Sequence, residues 1–560
     1  MNKKWEYYNV DEKKVNEISE KFKIDTLIAK ILVNRGIIDD EKISIFLEPN
    51  RTNFYDPYLL NDMDKAVDRI IKAMNNKEKI IIYGDYDVDG ITSITVLKKF
   101  LEERGMNIGY YIPNRLNEGY GLNNGAIDKI AKENYSLMIT VDCGISCIDE
   151  IEYVKQCGIE VIVTDHHEPL EQLPKAMAVI DPKRKDNKYP FNQLAGVGVV
   201  FKLIQALSLR LGLEEKEFLK YLDLVCVGTI SDIVPLVDEN RVIAKLGLKL
   251  VNVTKNIGLK SLLNSSGFKS IDANTISFGI APKINACGRM GHEEEALELL
   301  LSNNYVRVQE LTEKLNAYNK SRQDTEKNIY EEAIAKIKNE EEKSVIVLGS
   351  ENWHHGVIGI VASKITEMYF KPTILLCFED DIAKGSGRSV QGFDLHNALC
   401  LCSDLLEKYG GHEMAIGLSL KKENFNAFKE KFEQIASEYK VNEIIPVIYI
   451  DNQITSKTFN LELVKQLKLL EPFGEGNKVP IFIYKNLKID SIRTLTEGRH
   501  LKLTLRDENN IINAIGFNMG DIAENYLIGD KVDVIGFLEI NSYNGNETIQ
   551  INMKDIMKSI

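Results

Sequence analysis

Three apolar, β-branched runs in the first third of the chain each end at acidic or imidazole side chains. They are Ile80-Ile81-Ile82-Tyr83-Gly84-Asp85-Tyr86-Asp87-Val88-Asp89-Gly90, Leu137-Met138-Ile139-Thr140-Val141-Asp142-Cys143-Gly144 and Val161-Ile162-Val163-Thr164-Asp165-His166-His167. Runs of this length and composition are typical of buried strands, and a strand that stops at a carboxylate places it at the edge of a sheet. Three such edges side by side would gather oxygen and imidazole ligands for metal ions.

The spacing of these runs predicts the fold of this region. β-branched runs at 80–83, 108–112, 137–141, 159–164 and 177–180 alternate with polar stretches of helical length. This alternation predicts a parallel, doubly wound α/β sheet, in which ligands bind at the carboxyl ends of the strands. The acidic clusters fall at those ends, so the position and the chemistry of the predicted site agree.

The rest of the chain has a different texture in each part. A chain of 560 residues is too long for one core. A second α/β block follows a helical span. It contains Gly-rich segments at 385–387 and 410–411, which we predict to be turns. After Pro446, short strand-like runs predict a small β-barrel. The predicted units are an N-terminal helical segment (1–75), a catalytic domain (76–290), connecting helices (291–342), a second α/β domain (343–440) and the terminal barrel (441–560).

Composition restricts the function and the location of the protein. The net charge of −13 argues against general coating of nucleic acid, although it leaves room for a confined basic channel. The sequence has no apolar run of ~18 residues and no apolar segment after Met1 of the kind found in signal peptides. Its eight cysteines form no C-x-x-C pair, which favours buried reduced thiols over a zinc site. We therefore expect a cytoplasmic monomer with no membrane partner.

The first acidic cluster is a candidate metal site. Asp85, Asp87 and Asp89 alternate, so their carboxylates would converge on one face if the segment stayed extended. Gly90 would then let the backbone turn towards a helix beginning at Thr92 or Ser93. This interpretation predicts a three-carboxylate site at the end of the first strand.

A calcium loop is the alternative for this segment, because D-x-D-x-D-G resembles part of one. Such a loop follows a helix and carries a glutamate at its twelfth position. Here the preceding segment is a β-branched run, and the twelfth position counted from Asp85 is Val96. The sequence therefore favours a strand-end site over a calcium loop.

Further ligands are predicted at the other strand ends. Asp142 ends the second run, the triplet Asp165–His167 ends the third, and Asp232 is an isolated acid in the apolar stretch 227–236, where a buried carboxylate needs a partner. Carboxylates with one or two imidazoles suit Mn²⁺ or Mg²⁺ better than zinc. Five or six such ligands could hold two cations, an arrangement that lets water hydrolyse a phosphodiester without a protein nucleophile.

These acidic segments resemble the motifs of the DHH phosphoesterase superfamily. Further segments, taken together and in order, resemble its RecJ family of bacterial single-strand-specific 5′→3′ DNA exonucleases, from about residue 50 to the C-terminus. They are Arg115–Leu122, Asn285–Met290, Trp353–Ser363, Gly385–Ser389, Gly410–Gly417 and Leu470–Asn477. The resemblance implies an α/β multidomain protein with a parallel-sheet DHH catalytic domain, a long connecting helix, a second α/β domain of the DHHA1 type and a C-terminal OB-fold barrel.

The resemblance also implies roles for particular residues. The implied metal ligands are Asp87, Asp89, Asp142, His166 and Asp232. The implied catalytic residues are Asp85, Asp165 and His167. Asp85 would either bind a cation or orient a ligand of one, Asp165 would orient His166, and His167 would face the scissile phosphate. The implied DNA or phosphate contacts are Arg115, Arg289, Ser386, Arg388, His354 and His412; the alternatives are surface solvation for the arginines and turn structure for the histidines. Some members of the superfamily have a histidine where this chain has Tyr83, so the first cation would depend on Asp85 or water.

The implied function is processive release of 5′-mononucleotides from single-stranded DNA by two Mn²⁺ or Mg²⁺ ions, in DNA repair and recombination. The implied partners are a single-stranded-DNA-binding protein and a RecQ-type helicase. One alternative is a phosphodiesterase for short oligonucleotides or cyclic dinucleotides, whose relatives lack the terminal barrel. The other is a non-catalytic replication subunit, whose relatives lose the acids that this chain keeps. In the barrel, Phe473, Phe482 and Tyr484 are candidate platforms for bases.

Overall fold

The structure of this protein is a computed structural model, described for residues 3–115, 117–268, 270–341, 343–508, 510–543 and 546–559. Its strands form four sheets, of two, five, five and six strands, within the described residues. The helices of these residues include none that is both long enough and apolar enough to cross a membrane.

The N-terminal segment packs against the C-terminal barrel. Its elements are β1 (Lys4–Tyr7), α1 (Glu12–Phe22), α2 (Thr26–Asn34), α3 (Asp40–Leu47) and 3-10 turns at Arg51–Asn53 and Pro57–Leu59. Val15, Ile18 and Ile28 share a core with side chains of the barrel. The first element is a strand, although the sequence predicted only helix here, because its pairing partner, the strand Val447–Ile450, lies at the far end of the chain.

The catalytic domain contains the predicted parallel sheet. Its first elements are α4 (Met63–Asn76), β2 (Ile80–Gly84), α5 (Val88–Glu102), β3 (Ile108–Tyr111), α6 (Asn124–Ala131), β4 (Leu137–Val141), α7 (Ile148–Gln156), β5 (Glu160–Thr164) and β6 (Ala178–Ile180). The strands are ordered β3-β2-β4-β5-β6, and each pairs in parallel with its neighbours. β2 and β4 are fully buried because helices cover both faces of the sheet, which confirms the doubly wound prediction.

A helical region follows the sheet and leads to the second domain. It contains α8 (Gly196–Arg210), α9 (Lys216–Leu219), α10 (Leu222–Ser231), α11 (Asp238–Val251), α12 (Ile257–Ser265), α13 (Ala273–Thr275), a π-helical turn (Ile276–Ile280), α14 (Ala281–Arg289), α15 (Glu293–Leu301) and α16 (Tyr305–Lys338). α8 and α10 pack against α5, which brings the ends of all three helices close to the sheet edge. α16, with 34 residues, is the predicted long connecting helix.

The second α/β domain has a mixed sheet. Its elements are β7 (Ile346–Ser350), α17 (His355–Tyr369), β8 (Thr373–Glu379), β9 (Ile382–Arg388), α18 (Leu395–Cys400), a 3-10 turn (Ser403–Leu405), β10 (Lys408–His412), β11 (Ala415–Lys421), a 3-10 turn (Lys422–Asn424), α19 (Phe425–Glu438) and a 3-10 turn (Val441–Glu443). The strand order is β10-β11-β9-β8-β7. The prediction of turns at 385–387 and 410–411 is wrong, since both segments lie in strands. A Cβ at Gly387 would lie 2.7 Å from Ile416 Cγ1, so glycine here serves close packing within the sheet.

The C-terminal domain is a closed barrel. Its elements are β12 (Val447–Ile450), β13 (Asn452–Ile454), α20 (Leu461–Leu467), a 3-10 turn (Lys468–Leu470), β14 (Phe482–Leu495), β15 (His500–Arg506), β16 (Ile511–Gly516), a 3-10 turn (Gly520–Asn525), β17 (Lys531–Tyr543) and β18 (Asn546–Lys558). The sheet runs β14-β15-β16-β18-β17 and closes where β17 pairs with β14. This closure confirms the barrel predicted from the short strand-like runs.

A buried arginine joins the barrel to the catalytic domain. Arg241 of α11 is fully buried, and its guanidinium donates hydrogen bonds to the carbonyl oxygens of Phe46 (2.6 Å) and Glu471 (2.9 Å). The backbone N–H of Leu236 also donates to the Glu475 carbonyl at 2.8 Å. These bonds hold the loop that precedes β14 against the catalytic domain, beside the end of α10.

Candidate metal centre

The acidic segment after β2 is the start of a helix. α5 begins at Val88, and its N-cap is Asp87, whose Oδ1 accepts hydrogen bonds from the backbone N–H groups of Asp89 (2.9 Å) and Gly90 (3.1 Å). The expectation that three carboxylates converge along an extended strand is therefore wrong, as is the expected helix start at Thr92. Capping satisfies N–H groups that the first helical turn would leave without partners, and this favours the helix.

Asp89 is held by a second helix N-terminus. Its two carboxylate oxygens accept hydrogen bonds from the backbone N–H groups of Gly196 (2.6 Å) and Val197 (2.8 Å), which begin α8. Helix N-termini favour negative charge and present N–H groups without intrahelical partners. The position of Asp89 is thus set by a part of the chain more than a hundred residues away.

Strand ends and helix starts together form one cluster of ligands. His166 Nε2 lies 3.1 Å from Asp142 Oδ1, 3.6 Å from Asp232 Oδ2 and 3.8 Å from Asp89 Oδ2. Asp85, Asp87 and Asp142 also offer oxygens that all lie within 4.8 Å of one another. Asp142 belongs to both sets and so lies between two neighbouring groups of ligands.

The carboxylates of this cluster are buried and repel one another. Burial, with the charge of Asp87 as a second cause, raises the pKa of Asp89 to about 7 and that of Asp85 well above its usual range. Burial and then the charge of Asp89 raise the pKa values of Asp142 and Asp232 well above theirs. Burial, with the charge of His167 as a second cause, lowers the pKa of His166 to about 3, so this ring is neutral at pH 7.

The unpartnered atoms of the cluster fit a divalent cation. Asp85 Oδ1, Asp142 Oδ1 and His166 Nε2 are buried and have no hydrogen-bond partner among the described residues. Native proteins rarely leave such atoms unsatisfied, because a buried polar group without a partner is costly. Several carboxylate oxygens with one neutral imidazole nitrogen suit Mn²⁺ or Mg²⁺. The residues present therefore match the metal chemistry predicted from the sequence.

His167 is oriented separately from His166. Its Nδ1 lies 2.7 Å from Asp165 Oδ1, and the other oxygen of Asp165 accepts a hydrogen bond from the Ile145 backbone N–H. Although burial alone would lower it, the hydrogen bond to Asp165 raises the pKa of His167. The hydroxyl of Tyr120 donates to the Asp142 carbonyl at 3.2 Å and lies 3.2 Å from His167 Nδ1. The pair Asp165–His167 thus places a proton-carrying ring beside the ligand cluster.

Sequence reasoning missed two residues beside the cluster. Tyr120 lies in a segment that we noted only for its resemblance, and no periodicity indicated its contact with His167. Asp181 follows β6, is fully buried, and has one carboxylate oxygen without a partner among the described residues. The signal for Asp181 was present, because the run Ala178–Ile180 also ends at a carboxylate.

Tyr83 donates its hydroxyl to the Gly121 carbonyl at 3.0 Å, so this side chain does not act as a metal ligand here.

Arginines from two domains lie beside the cluster. Burial, with the charges of Arg115, Arg322 and Arg388 as further causes, lowers the pKa of Arg289 to about 9, so these four cations lie near one another. Arg289 also donates a hydrogen bond to the Gly356 carbonyl of the second domain at 2.8 Å. Positive charges are held together only at a cost, which an anionic ligand between them would remove. Of the four, Arg322 was not singled out by the sequence.

The second domain provides Ser386 and Arg388 from β9. Arg388 donates to Ser386 Oγ at 3.1 Å. A Cβ at Gly359 of α17 would lie 2.9 Å from Ser386 Oγ and 3.3 Å from Arg388 Nη2, so only glycine lets the helix pack this closely on both side chains. The start of α17 therefore lies directly over this serine and arginine.

Other predicted contact residues lie elsewhere in the structure. His354 is the N-cap of α17, and its Nδ1 accepts a hydrogen bond from the Gly356 N–H at 3.1 Å, which is a structural role. His412 is exposed at the end of the edge strand β10, so neither histidine lies in a glycine-bounded turn. Phe482 and Tyr484 are buried in the barrel and are not available as base platforms, whereas Phe473 lies in the loop beside α10.

The raised pKa values predict that manganese affinity increases with pH. Without metal, the folded state keeps protons on carboxyls that the unfolded chain releases near pH ~4. Its stability therefore falls as pH rises from ~4 through the raised value of about 7 at Asp89. Cation binding requires these carboxyls to lose their protons, so the affinity should rise about tenfold per pH unit below pH ~7 for each proton displaced. Calorimetry of Mn²⁺ binding at pH 6 and pH 8, in buffers of different ionisation heat, measures both the affinity and the released protons; a pH-independent affinity would contradict the expectation.

Three family models match this chain. The DHH family N-terminal domain matches residues 79–229, the DHHA1 domain matches residues 342–438 and the RecJ OB domain matches residues 450–555. The first match contains Asp85, Asp142 and His166 of the ligand cluster, and the second contains Ser386 and Arg388. The order of the three matches is the order of the domains described above.

Named relatives and solved structures cover nearly the whole chain. The chain is 38% identical over 559 residues to the single-stranded-DNA-specific exonuclease RecJ of Bacillus subtilis, an alignment that covers 99% of this chain and 70% of that protein. It matches the crystal structure of Thermus thermophilus RecJ in complex with Mn²⁺ with a TM-score of 0.87 at 30% identity, over 100% of this chain and 80% of that one. The structure of the same protein with Mg²⁺ gives a TM-score of 0.81 at 29% identity, over 100% and 79% of the two chains.

Proposed function

Because this chain belongs to the RecJ family of single-stranded-DNA-specific exonucleases, we propose that it degrades single-stranded DNA from the 5′ end and releases 5′-mononucleotides. It is an exodeoxyribonuclease whose cofactor is Mn²⁺ or Mg²⁺. The observation that carries the direction of attack is the position of the arginines. Arg289 lies beside Arg115 and Arg388 and spans the contact between the catalytic and second domains, next to the ligand cluster.

Two cations would be held by the residues that converge at the sheet edge. We assign Asp89, Asp142, His166 and Asp232 to one cation, and Asp85, Asp87 and Asp142 to the other. Asp142 would contribute to both sites, because it lies near Asp85 and Asp87 as well as near His166. When bound, such a pair lowers the pKa of water and neutralises charge on the attacked phosphate and on the leaving oxygen.

The protein's own side chains position the substrate and one proton. Asp165 keeps His167 in a fixed orientation and favours its protonated form. A protonated His167 next to the ligand cluster can donate a hydrogen bond to an oxygen of the scissile phosphate. Tyr120, whose hydroxyl lies close to the same ring, limits the rotation of that imidazole.

The arginine cluster would hold the 5′ end of the strand. Guanidinium groups bind phosphate oxygens through paired N–H donors, and we assign Arg115, Arg289 and Arg388, whose charges act on one another, to one terminal phosphate. Ser386 Oγ, which contacts Arg388, adds a hydroxyl. A terminal phosphate held there leaves the next phosphodiester for the ligand cluster. Arg289 contacts Gly356 across the two domains, and we propose that the cleft beside this contact is too narrow for a duplex.

Features outside the site support the family role over the alternatives. The barrel at 450–555 matches the RecJ OB domain, which argues against a phosphodiesterase limited to dinucleotides. The full set of acids argues against a non-catalytic subunit. We further propose a monomer that acts in DNA repair and recombination with a single-stranded-DNA-binding protein and a RecQ-type helicase. All eight cysteines are unpaired, which supports a reducing compartment such as the cytoplasm.

Digestion of end-labelled strands tests the direction of attack. With Mn²⁺ present, a single-stranded oligonucleotide labelled at its 5′ end should release a labelled mononucleotide at once, whereas a 3′ label should remain on a shrinking ladder. Arg388→Ala should slow a 5′-phosphorylated strand roughly 10- to 100-fold, because a hydrogen bond to a charged group is lost, and should affect a 5′-hydroxyl strand much less.

The matched control is Arg307→Ala. Arg307 of α16 is partly exposed and pairs with Glu298 of α15, away from the arginine cluster, so its removal should leave both rates unchanged. Release of mononucleotides from the 3′ end, or equal attack on blunt duplex DNA, would refute the proposed direction and strand selectivity. An equal effect of Arg388→Ala on both kinds of 5′ end would refute the phosphate assignment alone.

A further inference from the structure

A cavity of about 670 Å³ lies beside Asp232. Its wall includes Ser231 and Ile233, the two neighbours of Asp232 in the chain. It also includes Asn285, whose side chain accepts a hydrogen bond from the Val88 N–H at 3.2 Å, next to the N-cap Asp87. Two separate segments of the cavity wall therefore adjoin residues of the ligand cluster.

Two large apolar side chains of this wall are exposed. Phe278 has 80% of its surface exposed, although its neighbours Ile276 and Ile280 are fully buried. It lies on the π-helical turn between them, a distortion often found at functional sites. Ile233 is 71% exposed and has a φ of +60°, a conformation that is unusual and strained for a β-branched residue. Both side chains contribute their apolar surface to the cavity and little of it to the core.

The wall also contains two arginines, and residues of the loop before the barrel that include one acid, Glu475. Arg289 and Arg322 lie on the side of the connecting helix, and Arg322 is held in place by Glu326 and by Asn319 Oδ1, to which it donates at 2.6 Å. Phe473 and Lys478 come from the loop that precedes β14. Aromatic surface combined with positive charge is the chemistry by which proteins bind unpaired nucleotides.

We propose that this cavity binds a nucleobase near the 5′ end of the substrate, stacked on Phe278. This inference rests on the proposed nuclease function, and it assigns a base site that the metal and phosphate contacts do not require. Arg289 lines the cavity and also belongs to the arginine cluster, so a base held here would lie within reach of the 5′-phosphate contacts and of the residues beside Asp232. Binding by stacking tolerates any base, because every base has an aromatic face.

The affinity of the protein for single-stranded DNA, measured under conditions that prevent cleavage, tests the proposal. The probe is a fluorescently labelled, 5′-phosphorylated oligothymidylate, titrated with the full-length protein in EDTA so that no hydrolysis occurs. Phe278→Ala should weaken binding about tenfold, which is the effect of one stacked base, whereas Phe278→Trp should bind as well as the wild type. The matched control is Tyr305→Ala, since Tyr305 is 75% exposed but lies at the start of α16 outside the cavity.

A series of strands with one abasic nucleotide identifies the base. For the wild type, removing the base at one position near the 5′ end should lower the affinity about tenfold. In Phe278→Ala, removing the base at that position should have no effect, whereas the effects at other positions should be unchanged. The base site would be refuted if Phe278→Ala bound the intact strand as tightly as the wild type. It would also be refuted if removing a base lowered the affinity of the variant and of the wild type equally. That result would indicate a surface for another protein segment instead.

The two hypotheses fail in different ways. If the wild type digests labelled strands from the 5′ end but Phe278→Ala binds them equally well, only the base site is wrong. If the wild type neither binds nor digests single strands, the proposed function is wrong. Because Phe278 is exposed, the variant should retain its circular dichroism spectrum and its calorimetric Mn²⁺ affinity, so that a folding defect would be detected directly.

Discussion

Asp142→Asn should lower the turnover of single-stranded DNA by three orders of magnitude or more. The two cations together supply several kcal/mol of transition-state stabilisation, and each ~1.4 kcal/mol is worth a factor of ten. Asp142 Oδ1 lies 3.1 Å from His166 Nε2, and its carboxylate also lies near those of Asp85 and Asp87, so its neutralisation should weaken both proposed cation sites. The fold should be unaffected, because asparagine has the same shape and tolerates the left-handed backbone found here at φ +58°. Steady-state digestion with Mn²⁺, together with calorimetric Mn²⁺ binding, measures the loss.

The same substitution should stabilise the metal-free protein. Burial and the charge of Asp89 raise the pKa of Asp142, so the ionised carboxylate is unfavourable without a cation. Removing that charge should raise the apparent melting temperature in EDTA by a few degrees and abolish most of the rise that Mn²⁺ gives the wild type. Asp223→Asn is the control, since Asp223 is equally buried but bonds to Thr254 outside the ligand groups. Asp142→Asn turning over within tenfold of the wild type would refute the assignment of this residue.

Gly196→Ala should disable the enzyme, although alanine suits a helix better than glycine. Gly196 is the first residue of α8, and a Cβ there would lie 2.7 Å from Asp142 Cβ and 2.7 Å from its Oδ1. Asp142 would have to move away from His166 and Asp85. A displacement of ~1 Å at a catalytic group costs on the order of 100-fold in rate. We therefore expect about a 100-fold fall in kcat and a weaker calorimetric affinity for Mn²⁺.

Gly198→Ala, two residues along the same helix, separates this effect from a general effect of alanine. Its Cβ would lie 3.4 Å from Leu194 Cβ, which is ordinary contact. This variant should keep full activity and gain up to ~1 kcal/mol in stability from the better helix propensity of alanine. Equal activity of the two variants would show that Asp142 does not need the space that glycine leaves.

The strand ends were predictable because their signal is local. β2, β4 and β5 are continuous apolar runs, and parallel pairing brings their carboxyl ends to one edge; Asp85, Asp142 and His166 therefore meet as expected. The same rule would also have found Asp181 after β6. The five strands of this sheet and those of the barrel also follow local patterns of buried residues, and the family resemblance assigned their order to a known architecture.

Contacts between distant segments were not predictable. The carboxylates of Asp87 and Asp89 point to different partners, because Asp87 caps α5 whereas Asp89 accepts hydrogen bonds from the N–H groups at the start of α8. The alternation of acids along the sequence does not reveal these hydrogen bonds. Phe278 is one of 20 phenylalanines, and nothing in its neighbours indicates that its ring is exposed beside Asp232. Arg322 shows only the periodicity of a long charged helix.

The sequence by itself determined the chemistry of the centre: acidic and imidazole residues at the ends of apolar strands, in a family that cleaves single-stranded DNA. Hydrophobic periodicity and strand propensity act over a few residues, so they can be read along the chain. The tertiary structure alone decided which oxygens share a cation, how closely Gly196 approaches Asp142, and where a cavity remains between the catalytic domain, the connecting helix and the barrel loop. Those distances arise from the packing of segments up to hundreds of residues apart, so they cannot be predicted from the local sequence.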